Sequence, residues 1–514
     1  MMGVRRRGVQ MSRDEDLVVA TEAGPVRGVV RDLEDGHRSI AFLGVPYAAA
    51  PVGELRFAAP QPVSPWTGVR AAVEPGATPL RRQVDATLIP EPAVPGEETL
   101  NVNVFTPDIT GFAPVMVWIH GGGFVSGSPN SPWYDGRAFN RDGVVTVSVS
   151  YRLGCEGYGV LDAEPGAGPA VSNLGVLDQL AALQWVRRNI AAFGGDPRRV
   201  TIAGQSAGAT SVLTLLAMPE AQPLFARALA ISPTLVDAPL DIARERTRAV
   251  AENAGAPATV EGLRGVAPDR LAAAQEAIEQ KAKGLKVLRG ALAGRMWGPT
   301  VDGEVVERAT LESLRAGVGA SKPLLIGAAR DEVGTLADQL PEWTNRIPAS
   351  WLMRSVVQDA AARRGYLREN RRLLAEGGSV LLAKFVTDAV FRRVVPAVAD
   401  ARIGDEDGGT WVYGFGWRSP RNGWAHHCLD VPFWFDCLDD PAVSAVAGLR
   451  PRQDLAEAMH AAAVSFVRGE DPAWPQWSEE TRETRVFGAN EIIDDQEGYY
   501  DGAMPLVAGL QTDR

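Results

Sequence analysis

Ser206 is the residue whose surroundings most directly predict chemistry. It lies in the run Gly-Gln-Ser-Ala-Gly at 204–208, which follows a short β-branched segment and precedes a leucine-rich, helix-like run. A strand that turns sharply into a helix exposes a serine at the end of a sheet, where its hydroxyl can attack a carbonyl carbon. The same five residues also occur as an ordinary turn, so a nucleophile needs support from the rest of the chain.

A glycine run gives that support. His120 follows an apolar, β-like segment at 115–119 and precedes three glycines at 121–123. Glycines leave their amide N–H groups unshielded, and such groups stabilise the negative oxygen that forms when a carbonyl is attacked. The run alone is equally consistent with a flexible turn, but together with Ser206 it predicts an oxyanion hole.

The elements that must position these motifs alternate between strand and helix patterns. Apolar runs typical of strands occupy 100–106, 115–119, 144–149, 200–203, 322–327 and 411–417. Apolar residues at helical spacing cover 174–189. This alternation predicts an α/β fold with a largely parallel sheet covered by helices on both faces. Catalytic groups are then expected at the carboxyl ends of the strands.

The chain of 514 residues exceeds the usual size of one domain. We expect a single domain over 17–514, with helical insertions at about 237–293 and 350–398, where Ala, Glu and Arg are frequent. Residues 1–16 are expected to form a disordered tail, in which Met1 and Met11 are alternative starts. The Pro- and Gly-rich stretch at 72–96 predicts a surface loop of the kind that borders active sites.

Charge and hydropathy exclude two classes of partner. A net charge of −11 argues against nucleic acid, because phosphate binding needs clustered Lys and Arg side chains. The sequence has no signal-like apolar segment near its start and no run of about 18 apolar residues. These observations predict a cytoplasmic protein that acts on a small molecule and has no membrane partner.

The cysteines and histidines predict neither a disulfide framework nor a metal site. Cys155, Cys428 and Cys437 are few and odd in number, as expected for a reduced protein. The five histidines include no pair at the spacing typical of metal ligands. We therefore expect no metal and no cofactor.

Longer stretches of this sequence resemble the type B carboxylesterases, whose relatives include para-nitrobenzyl esterases and cholinesterases. The similarity extends from about Gly24 to Phe487. The runs that carry it are FLGVPYA at 42–48, EETLNVNV at 97–104, HGGGF at 120–124, YRLG at 151–154, NLGVLDQ at 173–179 and FGGDP at 193–197. The resemblance implies the α/β-hydrolase fold, with a large, mostly parallel central sheet.

The resemblance also implies a catalytic triad. Ser206 matches the family nucleophile, Glu332 the acid and His427 the general base, in the chain order that this fold uses. The family histidine stands five positions before a Pro or Glu that precedes an aromatic-rich run, and Pro432 therefore selects His427 over His426. His426 is expected to have a packing role or to lie at the rim of the site.

Supporting residues follow from the same resemblance. The N–H groups of Gly122, Gly123 and Ala207 are expected to form the oxyanion hole. Ser232 matches a serine that lies behind the acid. Gln205 stands where a Glu commonly precedes the nucleophile, which removes a charge that would attract a cationic, choline-type substrate.

Two structural ion pairs are also implied by the resemblance. Arg56 would pair with Glu97, and Arg152 would pair with Asp178. Both pairs are expected to hold loops in place and not to touch the substrate. Thr99 stands where secreted relatives often have a disulfide cysteine, which agrees with a reduced environment.

These observations predict a serine carboxylesterase that hydrolyses carboxylic esters through an acyl-enzyme. Cleavage of a carbamate or an activated amide is an alternative, because the same site attacks any suitable acyl group. A binding module without catalysis is a third hypothesis, and the presence of Ser206, Glu332 and His427 disfavours it. We expect a monomer or a weak homodimer, and the sequence does not identify the natural substrate.

Overall fold

The computed structural model describes residues 17–33, 36–81, 88–162, 170–281, 296–354, 356–357, 359–404 and 408–512. The expected tail over 1–16 lies outside these residues, as do parts of the loop at 72–96 and of the insertion at 237–293. None of the helices in the described part of the chain has the length and apolar character that a membrane crossing requires.

The described strands are numbered in chain order. They are β1 (Val18–Ala20), β2 (Pro25–Arg27), β3 (Val29–Asp32), β4 (Arg38–Pro46), β5 (Arg70–Ala71), β6 (Asn101–Thr106), β7 (Ala113–Ile119), β8 (Val145–Val149), β9 (Gly195–Gln205), β10 (Arg227–Ile231), β11 (Ala238–Pro239), β12 (Thr300–Val301), β13 (Leu324–Ala329), β14 (Thr410–Phe415), β15 (Thr484–Phe487) and β16 (Ile493–Gln496).

Eleven of these strands form one sheet in the order β16-β15-β14-β13-β10-β9-β7-β8-β6-β4-β3. Pairing is parallel from β15 across to β8. It is antiparallel at both edges, between β16 and β15 and from β8 to β3. The α/β-hydrolase architecture with a mostly parallel central sheet is therefore confirmed, and the sheet as a whole is mixed.

The α-helices are numbered in the same way. They are α1 (Arg137–Arg141), α2 (Gly154–Tyr158), α3 (Leu174–Asn189), α4 (Ala207–Leu216), α5 (Leu240–Ala254), α6 (Val260–Arg264), α7 (Pro268–Lys281), α8 (Thr310–Arg315), α9 (Leu336–Gln339), α10 (Ala349–Arg354), α11 (Ala360–Glu369), α12 (Gly378–Thr387), α13 (Val394–Asp400), α14 (Val431–Trp434), α15 (Val443–Ala447), α16 (Gln453–Arg468) and α17 (Gly509–Thr512). A π-helical turn, Asp388–Arg392, joins α12 to α13.

Alternate residues of β7 enter two separate apolar cores. Val115, Val117 and Ile119 pack in a core that includes α3 and α4, whereas Met116 and Trp118 pack in one that includes α14 and α16. Successive side chains of a strand point to opposite faces of the sheet, so the two cores lie on its two sides. Helices therefore cover both faces, as the sequence predicts.

Helices occupy the described parts of both expected insertions. In the first, α5, α6 and α7 lie within 240–281, and residues 282–293 are outside the described part of the chain. In the second, α10 to α13 and the π-helical turn lie within 349–400. The second insertion has a small apolar core of its own, which includes Leu352, Tyr366 and Phe385.

One of the two expected ion pairs forms, and the other has a different acid. The Arg152 guanidinium binds Asp178 at 2.7 Å, and both side chains are buried. Arg56 pairs with Glu156 of α2 at 2.7 Å instead of with Glu97. Glu97 lies exposed in a loop, whereas Glu156 is half-buried, so the pairing with Arg56 exposes less charge to water.

Candidate active site

Ser206 lies at the turn between β9 and α4. Its φ of 58° and ψ of −122° are rare for a residue with a side chain and cost about 1–3 kcal/mol. Its N–H donates to the carbonyl of Ile231, at the carboxyl end of the neighbouring strand β10, at 2.9 Å. A Cβ on Gly208 would lie 1.9 Å from the Ile119 carbonyl oxygen, so only glycine lets β7 approach this turn.

The glycine run passes directly beside this serine. A Cβ on Gly121 would lie 3.2 Å from Ser206 Cβ. Gly122 has a φ of +113°, and a Cβ there would lie 2.1 Å from the Ser126 carbonyl oxygen, so the backbone requires glycine. The Gly122 carbonyl accepts hydrogen bonds from the N–H groups of Val125 and Ser126.

The three N–H groups expected to form the oxyanion hole have no acceptor. Among the described residues, no backbone carbonyl accepts a hydrogen bond from Gly122, Gly123 or Ala207. Ala207 is the first residue of α4, where the helix dipole also favours negative charge. N–H groups without a backbone acceptor are the kind of donor that the predicted oxyanion hole requires.

Glu332 and His427 form a direct pair. Glu332 Oε2 accepts a hydrogen bond from His427 Nδ1 at 2.5 Å, and Oε1 accepts from the Ala329 N–H at 2.7 Å. A backbone hydrogen bond from His427 N to Glu332 O, 2.9 Å long, holds the two loops together. The Glu332 side chain is fully buried, and that of His427 is 17% exposed. The bond to Glu332 uses Nδ1 of the imidazole, so Nε2 is the ring nitrogen that does not contact the acid.

Among the described residues, His426 makes no hydrogen bond to Glu332. Its Nδ1 contacts the carbonyl of His427 at 2.9 Å, and the residue is buried. Burial lowers the pKa of His426, so the side chain is neutral at pH 7. The structure therefore brings His427, and not His426, to Glu332. The expectation of a packing role for His426 agrees with this burial.

The Gln205 side chain contacts the other ring nitrogen of His427. Its side-chain amide nitrogen lies 3.1 Å from His427 Nε2 and 3.3 Å from Cys428 Sγ. Among the described residues, no hydrogen bond joins Ser206 Oγ to His427. Catalytic hydrogen bonds of this kind are often long in a free enzyme and tighten when substrate binds.

Ser232 lies at the carboxyl end of β10, and its N–H donates to the carbonyl of Gly327 at 2.8 Å. Its hydroxyl is buried and has no hydrogen-bond partner among the described residues. The structure thus places Ser232 beside β13, the strand that leads to Glu332, but no direct bond links the two side chains.

Two further residues near the base have no counterpart among the residues that the sequence singles out. The ring centroid of Phe391 lies 4.6 Å from that of His427. Asp430 is fully buried, and its burial, followed by the charge of Glu332, raises the pKa of Asp430 to about 7. Asp430 Oδ1 has no hydrogen-bond partner in the described part of the chain. Phe391 lies near His427 because of tertiary folding, which local sequence patterns do not encode, whereas Asp430 follows His427 by three residues in the chain.

The three cysteines are buried and unpaired. Among the residues that the structure describes, no group of three or more His, Cys, Asp or Glu side chains is arranged to hold a metal ion.

The fold and the site together define an α/β-hydrolase. The sequence profile of the Carboxylesterase family matches residues 15–493, and the chain belongs to this family. It is a carboxylic ester hydrolase. The chain is 33% identical over 500 residues to para-nitrobenzyl esterase of Bacillus subtilis, covering 93% of this chain and 96% of the relative.

Two other relatives extend the comparison. Phenmedipham hydrolase of Pseudarthrobacter oxydans is 34% identical over 504 residues, covering 92% of this chain and 95% of the relative. The crystal structure of a Geobacillus stearothermophilus carboxylesterase superposes with a TM-score of 0.80 at 33% identity, covering 95% of this chain and 99% of that one.

The Glu332–His427 pair predicts a specific response to pH. Burial alone lowers the pKa of His427, but the neighbouring Cys428 and Glu332 groups outweigh it and raise this pKa well above its ordinary value. A base must be neutral to accept a proton, so activity is expected to fall as the pH drops through this raised pKa.

Replacement of Glu332 by Gln removes one of the charges that raise the pKa of His427. The acidic limb of the kcat/KM profile is therefore expected to move to lower pH, while kcat falls by about 10⁴-fold because the imidazole loses its orientation. Rates measured from pH 5 to 9 check both effects. An acidic limb at the wild-type position would show that Glu332 does not control the protonation of the base.

Proposed function

We propose that this esterase works through an acyl-enzyme, with Ser206 as nucleophile, His427 as general base and Glu332 as the acid that orients it. The observation that carries this proposal is the 2.5 Å bond between Glu332 and His427, formed where a serine with strained backbone also lies. The N–H groups of Gly122, Gly123 and Ala207 support the proposal, because they have no backbone acceptor among the described residues and could supply the donors that an oxyanion needs.

The proposed reaction begins when the Ser206 hydroxyl attacks the ester carbonyl carbon. His427 Nε2 accepts the hydroxyl proton and exchanges its contact with Gln205 for one with Ser206. The Gly122, Gly123 and Ala207 N–H groups bind the oxyanion, and each such donor is worth about 2.7–4 kcal/mol of barrier.

The acyl-enzyme forms when the tetrahedral intermediate collapses. His427 then donates its proton to the leaving alcohol, and Glu332 stabilises the imidazolium that exists between the two transfers. Water attacks the acyl-enzyme by the same route, with His427 again accepting the proton. The carboxylic acid leaves, and Ser206 regains its hydroxyl.

Carbamate hydrolysis is a second candidate function, which one relative favours. The protein named phenmedipham hydrolase matches this chain over nearly its whole length. The same residues would form a carbamyl-enzyme in place of an acyl-enzyme, and pocket shape would decide between the two substrates.

A comparison of matched substrates tests both candidates. The purified chain would be assayed with p-nitrophenyl acetate, butyrate and octanoate, and with a p-nitrophenyl carbamate. A fluorophosphonate would be added in parallel and the labelled peptide identified by mass spectrometry. We expect turnover of at least one ester and one label per chain on Ser206. Turnover without labelling of Ser206 would contradict the acyl-enzyme proposal, and faster turnover of the carbamate would favour the second candidate.

We also propose a cytoplasmic location for this enzyme. Three buried cysteines that form no disulfide support it, because reduced thiols are typical of that compartment.

A further inference from the structure

One face of the second insertion contacts the loop that carries the acid. Lys384 of α12 donates from Nζ to the carbonyl of Arg330 at 3.2 Å. One helical turn further on, the hydroxyl oxygen of Thr387 accepts a hydrogen bond from the Val333 N–H at 3.2 Å. These two contacts lie on either side of Glu332 in the chain. The helix therefore holds the acid loop at two backbone groups.

The same face reaches the base through the π-helical turn. Phe391 lies four residues after Thr387, and its ring packs at 4.6 Å from the His427 ring with an angle of 43° between the planes. Phe391 is 8% exposed, so it covers part of the imidazole. A π-helical turn adds a residue to the helix and re-aims the side chains that follow it, and such turns are frequent at functional sites.

A buried carboxylate anchors this turn. Asp388 is fully buried and binds Lys384 Nζ at 2.7 Å and Arg392 Nε at 3.1 Å. It also accepts a hydrogen bond from the Tyr366 hydroxyl at 2.9 Å. The Arg392 guanidinium packs over the Tyr499 ring at 4.6 Å. Three partners outside the turn, Lys384, Tyr366 and Tyr499, restrain it and therefore restrict the position of Phe391.

The imidazole needs such a contact during the reaction, because His427 Nε2 must leave Gln205, 3.1 Å away, to engage Ser206. The bond from Nδ1 to Glu332 fixes one edge of the ring, and the ring can still tilt about that bond. Nε2 must point at Ser206 during two proton transfers, and a displacement of about 1 Å in a reacting group can cost about 100-fold in rate. A rigid apolar ring against the imidazole face opposes this tilt.

We propose that Phe391 is a positioning residue for the general base, and that α12 and its π-helical turn hold the Glu332–His427 pair in its working geometry. This inference rests on the proposed function. It gives the second insertion a role in catalysis that is separate from forming the walls of a substrate pocket. Phe391 touches the base and acts on the reaction through it.

Replacement of Phe391 by Ala tests this role. We expect kcat for p-nitrophenyl acetate to fall by about 10- to 100-fold, KM to stay close to the wild-type value, and fluorophosphonate labelling to slow by the same factor as kcat. Phe391→Leu keeps an apolar side chain against the imidazole and is expected to restore most of kcat. A rise in KM with unchanged kcat would overturn the inference, because it would make Phe391 part of the substrate pocket.

Met353→Ala is the control. Met353 lies on α10, not on α12 or the π-helical turn, and it is fully buried in the apolar core of the same insertion. Its loss is expected to lower thermal stability while kcat stays near the wild-type value. An equal fall of kcat in Met353→Ala and Phe391→Ala would show a general effect of insertion packing and would overturn the inference.

Thr387 provides an independent test if Phe391→Ala fails to fold. Thr387→Val removes the acceptor of the Val333 N–H and is expected to lower kcat, whereas Thr387→Ser retains the hydroxyl and is expected to keep it. Equal kcat values for the two variants would count against the inference. Wild-type labelling at Ser206 separates the outcomes: its absence contradicts the proposed function, while normal labelling with an unchanged kcat in the variants contradicts only the role of the insertion.

Discussion

Replacement of Ser206 by alanine is expected to lower kcat for p-nitrophenyl acetate by about 10⁶-fold, or about 8 kcal/mol of barrier. Alanine keeps the backbone and Cβ of the turn and lacks only the hydroxyl that forms the acyl-enzyme. The oxyanion donors and the remaining contacts with substrate would still accelerate hydrolysis by roughly 10³–10⁴-fold over water. Steady-state rates and fluorophosphonate labelling measure the loss.

Ser211→Ala is the control for this prediction. Ser211 lies on α4, five residues after Ser206, and its hydroxyl accepts a hydrogen bond from Gln179 Nε2 at 2.9 Å. Its removal disturbs the same helix without touching the proposed nucleophile, so kcat is expected to stay near the wild-type value. Substantial activity in Ser206→Ala, with the turn still folded, would place the nucleophile elsewhere.

The elements that the sequence predicts best are those whose apolar side chains recur at the regular spacing of a helix or a strand. Apolar residues at helical spacing predict a helix over 174–189, and α3 has these bounds. The short strand at 200–203 is the apolar end of β9, and the turn at Ser206 follows because β-branched residues give way there to a helical pattern. Local periodicity therefore locates the strand–turn–helix at Ser206, while the prediction that Ser206 is a nucleophile depends on the other motifs of the chain.

Contacts between distant segments are the part that periodicity does not predict. Phe391 reaches His427 through a π-helical turn, whose extra residue breaks the helical period. Arg56 pairs with Glu156 and not with Glu97 because α2 is buried, and no local sequence pattern predicts that burial. The position of Gln205 is clear from the sequence, but its contact with His427 Nε2 depends on how two loops meet.

The choice between two adjacent histidines shows the same limit. His426 and His427 lie in a loop, where no strand or helix period fixes which side chain points inward. The choice of His427 rests on the spacing to Pro432 in the family pattern. The structure gives a physical reason for the same choice, because the backbone bond from His427 N to Glu332 O aligns one histidine with the acid. Paired variants separate these two residues by experiment.

His427→Gln is expected to lower kcat by about 10⁶-fold, as much as the loss of the nucleophile, because the two residues act as one unit. Glutamine fills a similar volume and still donates a hydrogen bond to Glu332, but it cannot accept the Ser206 proton at neutral pH. The double variant Ser206→Ala with His427→Gln is expected to be no slower than either single variant. Additive losses would show that the two side chains act in separate steps.

His426→Gln is the matched comparison, since it changes the same side chain one residue away. The His426 imidazole hydrogen-bonds the backbone of His427 and of Val446, and the glutamine amide can replace one of these bonds. We expect a modest loss of stability and a kcat near the wild-type value. The reverse result, an inactive His426→Gln beside an active His427→Gln, would move the general base to His426 and leave the 2.5 Å bond to Glu332 as a structural contact. Because the pair differs only in position along one loop, the ratio of the two kcat values measures what the orientation toward Glu332 contributes to catalysis.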